Sequence, residues 1–216
     1  MNLQLESYQA QTKRWPTAGR HILAQFDQET VVVYQAYSPG IGQFAAENGY
    51  FGGAFSYSRM SWIKPNFLWM MYRCGWGRKQ GQEVVLAVHL KRAGFDRILA
   101  QAVHSTFIPE FHEDEAAWKK AVKSSEVRLQ WDPDHGPHGE RKERRAIQLG
   151  LSGSVLRSYG REWIVSIEDV SAFVREQHAN VAAGRLERLL TPREDVYRVS
   201  DRAVAERLGL DREAAP

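Results

Sequence analysis

The run Val84-Val85-Leu86-Ala87-Val88 constrains the fold of this chain more than any other segment. Five consecutive apolar residues inside the short stretch 82–90 suit a strand buried in a core, and the stretch is too short for a core helix of ordinary length. It also falls far short of the ~18 apolar residues that a membrane span needs. A buried strand requires enough chain to cover it, and 216 residues with 43% hydrophobic and 25% charged residues supply that. These proportions sit near the globular average and exclude wholesale disorder, collagen-like repeats and a disulfide scaffold. Cys74 is the one cysteine, so no intrachain disulfide forms and a reducing, cytoplasmic setting is expected. Met1-Asn2-Leu3-Gln4-Leu5-Glu6 shows no basic region followed by an apolar one, and no secretory signal is expected.

At roughly 100–200 residues per domain, the length predicts one domain. We divide it into an N-terminal arm (1–19), polar and irregular, an α+β domain (20–184), and a helical tail (185–216) that packs on the domain. The segment 30–37 is rich in β-branched and aromatic residues and predicts a strand. Ser38-Pro39 then opens a helix over about 39–48, which Asn48-Gly49 closes. A short strand at 60–63 turns at Lys64-Pro65-Asn66 into a helix carrying Phe67 to Cys74, ended by Gly75. Further strands are expected at 127–131, 147–151 and 162–167, with an exposed helix within 109–125 and a last long helix from Asp169 to about Gly184. Two prolines and two glycines in the eight residues 132–139 predict a loop. Strands and helices mix without the alternation of a doubly wound sheet, so the class is α+β, with a mixed, twisted sheet flanked by short helices.

Chemistry-bearing residues concentrate in 57–79, which holds Arg59, Lys64, Arg73, Arg78 and Lys79, six aromatics and no acid. Cations neutralise phosphates, and aromatic faces stack on bases or on a nicotinamide ring. The same stretch also suits a core helix with solvated cations at either end. The segment 132–140 carries Asp132, Asp134, Glu140, His135 and His138, ligand types for zinc or manganese, on a backbone too irregular to preorganise them, and we expect no bound metal. Arg141-Lys142-Glu143-Arg144-Arg145 could clamp a diphosphate or simply flank a strand. Neither a Walker A pattern, a G-x-G-x-x-G turn nor a G-x-S-x-G elbow occurs. Cys74 lies on an apolar helix and reads as an inert, buried thiol.

Several segments resemble the hallmarks of domain-of-unknown-function family 4291. They are Val33-Tyr34-Gln35-Ala36-Tyr37, the long stretch from Arg59 through Trp62, Lys64-Pro65-Asn66 and Tyr72-Arg73, then Gln82-Glu83-Val84-Val85-Leu86-Ala87, and Arg144-Arg145-Ala146-Ile147-Gln148-Leu149-Gly150-Leu151. The resemblance covers about residues 14–200, with departures at Ser61, Asn66 and Cys74. It implies no activity.

The order of elements is similar to that of ADP-ribosyltransferases, which implies an ADP-ribosyltransferase-like fold. It also implies NAD as substrate and ADP-ribosyl transfer to an unknown acceptor as the reaction. Under that likeness Gln35 stands where the superfamily often places a histidine, and Glu162 is the late glutamate beside the opening ribosyl cation. These two are the expected catalytic residues, on a strand 162–167 laid beside 30–37. Tyr34, Arg59, Trp62, Lys64, Tyr72, Arg144 and Arg145 are the expected nucleotide-binding residues. A nucleic-acid binding or processing module that uses 57–79 and Arg141 to Arg145 is the alternative, and a non-catalytic interaction protein a third. The expected partners are a nucleotide and a nucleic-acid or protein acceptor, without a membrane.

Overall fold

The computed structural model describes residues 3–211. The first two residues of the expected arm and the last five of the expected tail lie outside the described residues. In chain order the strands are β1 (Leu5–Ser7), β2 (Gly19–Arg20), β3 (Leu23–Ala24), β4 (Thr30–Tyr37), β5 (Ser61–Ile63), β6 (Val84–Lys91), β7 (Ala102–His104), β8 (Val127–His135), β9 (Arg141–Leu151), β10 (Ile164–Asp169), β11 (Leu190–Pro192) and β12 (Asp195–Val196). The helices are α1 (Tyr8–Thr12), α2 (Pro39–Asn48), α3 (Phe67–Cys74), α4 (Arg92–Gln101), α5 (Glu115–Ser124), α6 (Gly153–Ser158), α7 (Ser171–Ala182) and α8 (Arg202–Leu208).

The apolar run forms the middle strand of an antiparallel sheet ordered β10-β6-β4. Leu86, Val88 and Leu90 join Val31, Val33, Phe95 and Ile98 in one core on one face. Val85 and Ala87 join Val32, Tyr34, Phe67, Met71 and Val174 in a second core on the other. Cover on both faces is the physical reason that β6 reads as a continuous apolar run instead of an alternating one. A second sheet is ordered β2-β9-β8-β7, with β5 also paired to β9. Its Leu129, Ile147, Leu149 and Leu151 enter the first core, while the alternate residues Gln130 and Gln148 face the other way. A backbone bridge between Tyr34 and Lys64 stitches the two sheets together.

Local chemistry sets the helix boundaries beside this seam. Pro39 starts α2, and Gly49 ends it in the left-handed region at φ 73°. The Asn66 side chain accepts from the Trp69 N–H to cap α3.

Three expectations are corrected. The strand expected at 162–167 starts at Ile164, behind a π-helical turn over Tyr159–Trp163, and it pairs with β6, which separates it from β4. Residues 132–135 belong to β8, and the hairpin loop is only 136–140. Pro133 is tolerated beside a register shift, and Asp132 and Asp134 each find a cross-strand partner in Gln148 and Arg144. The arm is ordered. β1 pairs with β11, and Gln11, fully buried, bonds to Thr191 and to the Glu194 N–H. Trp15 donates from Nε1 to the Glu194 carbonyl. The same pairing makes the expected helical tail open on strands, since β11 and β12, the latter paired with β3, precede α8.

Candidate functional site

A cleft of about 450 Å³ opens at the seam of the two sheets, walled by β4, β5, α3 and the polar face of β8 and β9. Its floor comes from the stretch just after β5. Lys64 is only 6% exposed, and its backbone is held from both sides, its N–H donating to the Tyr34 carbonyl and its carbonyl accepting from the Tyr34 N–H. Among the described residues, no hydrogen bond or ion pair reaches Lys64 Nζ. Burial pushes its pKa down to about 8. Arg73 adds to the depression, while Asp132 and Cys74 oppose it. Arg73 lies nine residues on, exposed on α3, with its guanidinium 5.8 Å from the Trp69 ring.

The amides of the cleft are tied to one another. Gln148 Nε2 donates to Asp132 at 2.7 Å and to Gln130 Oε1 at 3.2 Å. A carboxylate only accepts, so Asp132 fixes which end of the Gln148 amide turns toward it and leaves Gln148 Oε1 uncommitted. Half-buried Trp62 stands opposite Gly150 on β9. A Cβ at Gly150 would come within 2.9 Å of the Trp62 ring and 2.7 Å of Met60 Sδ, so glycine is what lets the indole lie against the strand.

Gln35 also lines this cleft, but its side chain is fully engaged. It donates to Tyr37 Oη, Ser61 Oγ and the Trp62 carbonyl, and its Oε1 accepts from Tyr159 Oη at 2.6 Å. It therefore clamps β4, β5 and the π-helical turn together. Burial raises the phenol pKa values of Tyr37 and Tyr159, so both stay neutral donors.

Of the residues expected from sequence, Gln35, Trp62 and Lys64 meet in the cleft. Tyr34 contributes its backbone alone, since its ring is fully buried against Phe67 in the second core. Arg59 is exposed in the loop before β5, outside the cleft lining. Tyr72 points away, stacking on His135 at 3.6 Å and lining a separate hollow with Trp76 and His178. Arg144 is buried in an ion pair with Asp134 and covered by Trp15. Arg145, its neighbour on the opposite face of β9, is exposed.

Glu162 is the largest displacement. It is exposed in the π-helical turn, its carbonyl accepting from Lys91 Nζ, at the end of the sheet where Ile164 faces Leu90. Gln35 faces Leu86, four residues further along β6. Glu162 and Gln35 thus do not share a cleft, because β6 lies between their strands.

Sequence reasoning counted Arg73 among the cations of 57–79 and quoted Gln148 in a family segment without making either a site residue, and it passed over Gln130. The signal for the glutamines was uncharged polar residues alternating with Leu129, Ile147 and Leu149, a pattern that normally marks a solvent face. The residues of 132–140 disperse instead of converging. His135 stacks on Tyr72, and Glu140 pairs with Lys142. Among the described residues, no group of three His, Cys, Asp or Glu is placed to hold a metal ion. Cys74 is buried, and burial raises its thiol pKa.

No curated protein matches the chain at a significant level. Residues 21–197 match the model of a domain of unknown function, DUF4291, and this span takes in β3 to β12 and every residue of the cleft. The chain belongs to the DUF4291 family.

Proposed function

We propose that the cleft binds a nucleotide diphosphate of the NAD and ADP-ribose class, and that the chain transfers ADP-ribose from NAD to an acceptor. The observation that carries the binding half is the pairing of two cations, Lys64 and Arg73, with the flat Trp62 in a cleft whose lining holds no carboxylate. Lysine and arginine draw phosphate oxygens, and the indole offers a face to a ring. The transfer half rests on the likeness of element order to ADP-ribosyltransferases alone. In this reading Glu162, exposed outside the cleft, takes no part in the chemistry.

Basic residues expected to follow a nucleic-acid backbone are dispersed. Lys64 is in the cleft, Arg144 is spent on Asp134, and Arg145 lies on another face. This favours the small-nucleotide reading over the nucleic-acid one.

The test is a thermal-shift titration with NAD, ADP-ribose and nicotinamide, followed by nicotinamide release. At about a hundredfold excess over Kd, NAD should add about 2.7 kcal/mol of stability, and Arg73→Met should abolish most of the shift. Glu162→Gln should release nicotinamide at the rate of the parent. Absence of any shift overturns the reading. Steeply salt-dependent binding of an oligonucleotide in its place would establish the nucleic-acid alternative.

A further inference from the structure

We propose that Lys64 is a nucleophilic amine that forms an imine with the aldehyde carbon of a phosphate-bearing aldose whose phosphate is held by Arg73. The inference uses the cleft of the previous section and its affinity for phosphate, and goes beyond it by assigning covalent chemistry to one residue.

Lysine is almost never fully buried without a partner. Lys64 is 6% exposed as a residue, with its stem buried and its Nζ opening on the cleft, and no partner reaches Nζ among the described residues. A purely structural side chain here would more simply be Met or Leu, which fill the volume without desolvating a charge. The position is also rigid. The reciprocal backbone bonds to Tyr34 fix the main chain, and Asn66, two residues on, caps α3. With the main chain fixed and the stem buried, the amine is confined to the cleft wall.

Most other polar groups around it are committed. The Gln35 amide, the Tyr37 and Ser61 hydroxyls and the Gln130–Asp132–Gln148 set bond among themselves. Lys64, Arg73, the Gln82 side chain and Gln148 Oε1 remain to meet a ligand, and the two cations divide the work. Arginine stays protonated and suits a phosphate. The groups that act on Lys64 are Arg73 and Cys74 from α3 and Asp132 from β8. With burial, their balance leaves about a tenth of the amine neutral at pH 7, against well under a thousandth for an ordinary lysine. The two side chains lie on elements that meet at one cleft, the arrangement a ligand with an anionic end and an electrophilic carbon would need.

The step balances without a further reactant. The amine lone pair attacks the aldehyde carbon of the open-chain sugar, a C–N bond forms, and the carbonyl pair moves to oxygen, which takes a proton as nitrogen loses one. The resulting carbinolamine expels water as its C–O bond breaks, so amine plus aldehyde gives imine plus water. Ribose 5-phosphate and ADP-ribose both carry the required aldehyde.

The protein is incubated with ribose 5-phosphate, ADP-ribose or unphosphorylated ribose in the presence of sodium cyanoborohydride, and adducts are located by peptide mass spectrometry. The expected result is one dominant adduct on Lys64, formed about tenfold faster with the phosphorylated sugars than with ribose, an advantage that Arg73→Met removes. Labelling should rise about tenfold from pH 6 to 7 and level off above about 8. Lys64→Arg and Lys64→Met should lose the adduct while melting close to the parent. Should those variants fail to fold, the distribution of label among the lysines of the parent protein decides alone. Label spread evenly over exposed Lys79, Lys91 and Lys119, with Lys64 unmodified, overturns the proposal. A thermal shift with NAD but no Lys64 adduct overturns it too and leaves the nucleotide reading standing. A Lys64 adduct with ribose 5-phosphate, without any effect of NAD or ADP-ribose on melting, supports the imine and overturns the nucleotide reading.

Discussion

Glu194 shows how much one side chain sustains beneath the cleft. Fully buried, its carboxylate accepts from the Phe67 N–H at 2.6 Å and from Asn66 Nδ2 at 3.0 Å, at the start of the helix that carries Arg73. Burial nevertheless pushes its pKa well above the ordinary range, with Asp134 adding to the rise and the hydrogen bonds and Arg144 opposing it. A carboxyl with a folded pKa above its unfolded one contributes stability that is fully present below the unfolded value, about 4.3, and is lost as pH rises through the folded value. Melting should therefore fall as pH rises above about 4.3, and Glu194→Gln should flatten that fall. Parallel melting profiles for the two proteins would show that another group governs the slope. For Gln35 the expectation is structural. Gln35→Leu should cost about 1–3 kcal/mol in denaturant unfolding by orphaning Tyr159 Oη and leaving Tyr37 and Ser61 bonded only to each other, yet leave ligand affinity within a few-fold below the melting range. At this scale the sequence disclosed residue density but not direction. Lys64 and Trp62 lie within the acid-free aromatic stretch and do reach the cleft, whereas Tyr72, from the same stretch, turns to the other side of α3. Helical rotation alone separates Tyr72 from Arg73, and no composition reveals it.

Elements were more legible wherever their boundaries are chemical. Ser38-Pro39 and Gly49 bracket α2 as expected, and Asn66 and Gly75 bracket α3. The β8–β9 hairpin was hidden, because Asp132-Pro133-Asp134-His135 has loop composition and becomes strand only when Gln148 and Arg144 lie opposite. The π-helical turn gives no periodic signal at all, and its five residues carry Glu162 away from its expected place. A further prediction belongs to this scale. Gly94 sits inside α4, where a Cβ would come within 2.8 Å of Trp163 in that turn. Gly94→Ala relieves helix entropy by up to about 1 kcal/mol, but the contact is with a large side chain packed between elements, so a net loss of about 1–3 kcal/mol is expected. Urea unfolding measures it, and a stabilised variant would mean that the turn yields freely.

For the whole molecule, the two cores and the seam between the sheets follow from β6 being covered on both faces, a feature that the apolar run did announce. No helix among the described residues is long and apolar enough to cross a membrane. Nothing in the composition of residues 3–18 announced that they would pair with the far end of the chain. Trp15, 7% exposed, packs with Tyr8, Arg144 and the Glu194 carbonyl. Trp15→Ala should cost about 3–5 kcal/mol and lower melting through a single transition, without releasing a separately stable remainder. A two-step unfolding curve, with the cleft's ligand response intact after the first step, would show that the arm is dispensable.

The pairing of β1 with β11, and of Gln11 with Glu194 across 183 residues, also sets an order in time. At translation speeds of about 5–20 residues per second, the first segment emerges roughly 10–40 seconds before the residues that complete its hydrogen bonds. Throughout that interval the residues of β1 lack their strand partner and Trp15 lacks its cover, so this stretch stays open to other contacts until residues 190–194 are made and the molecule closes on itself.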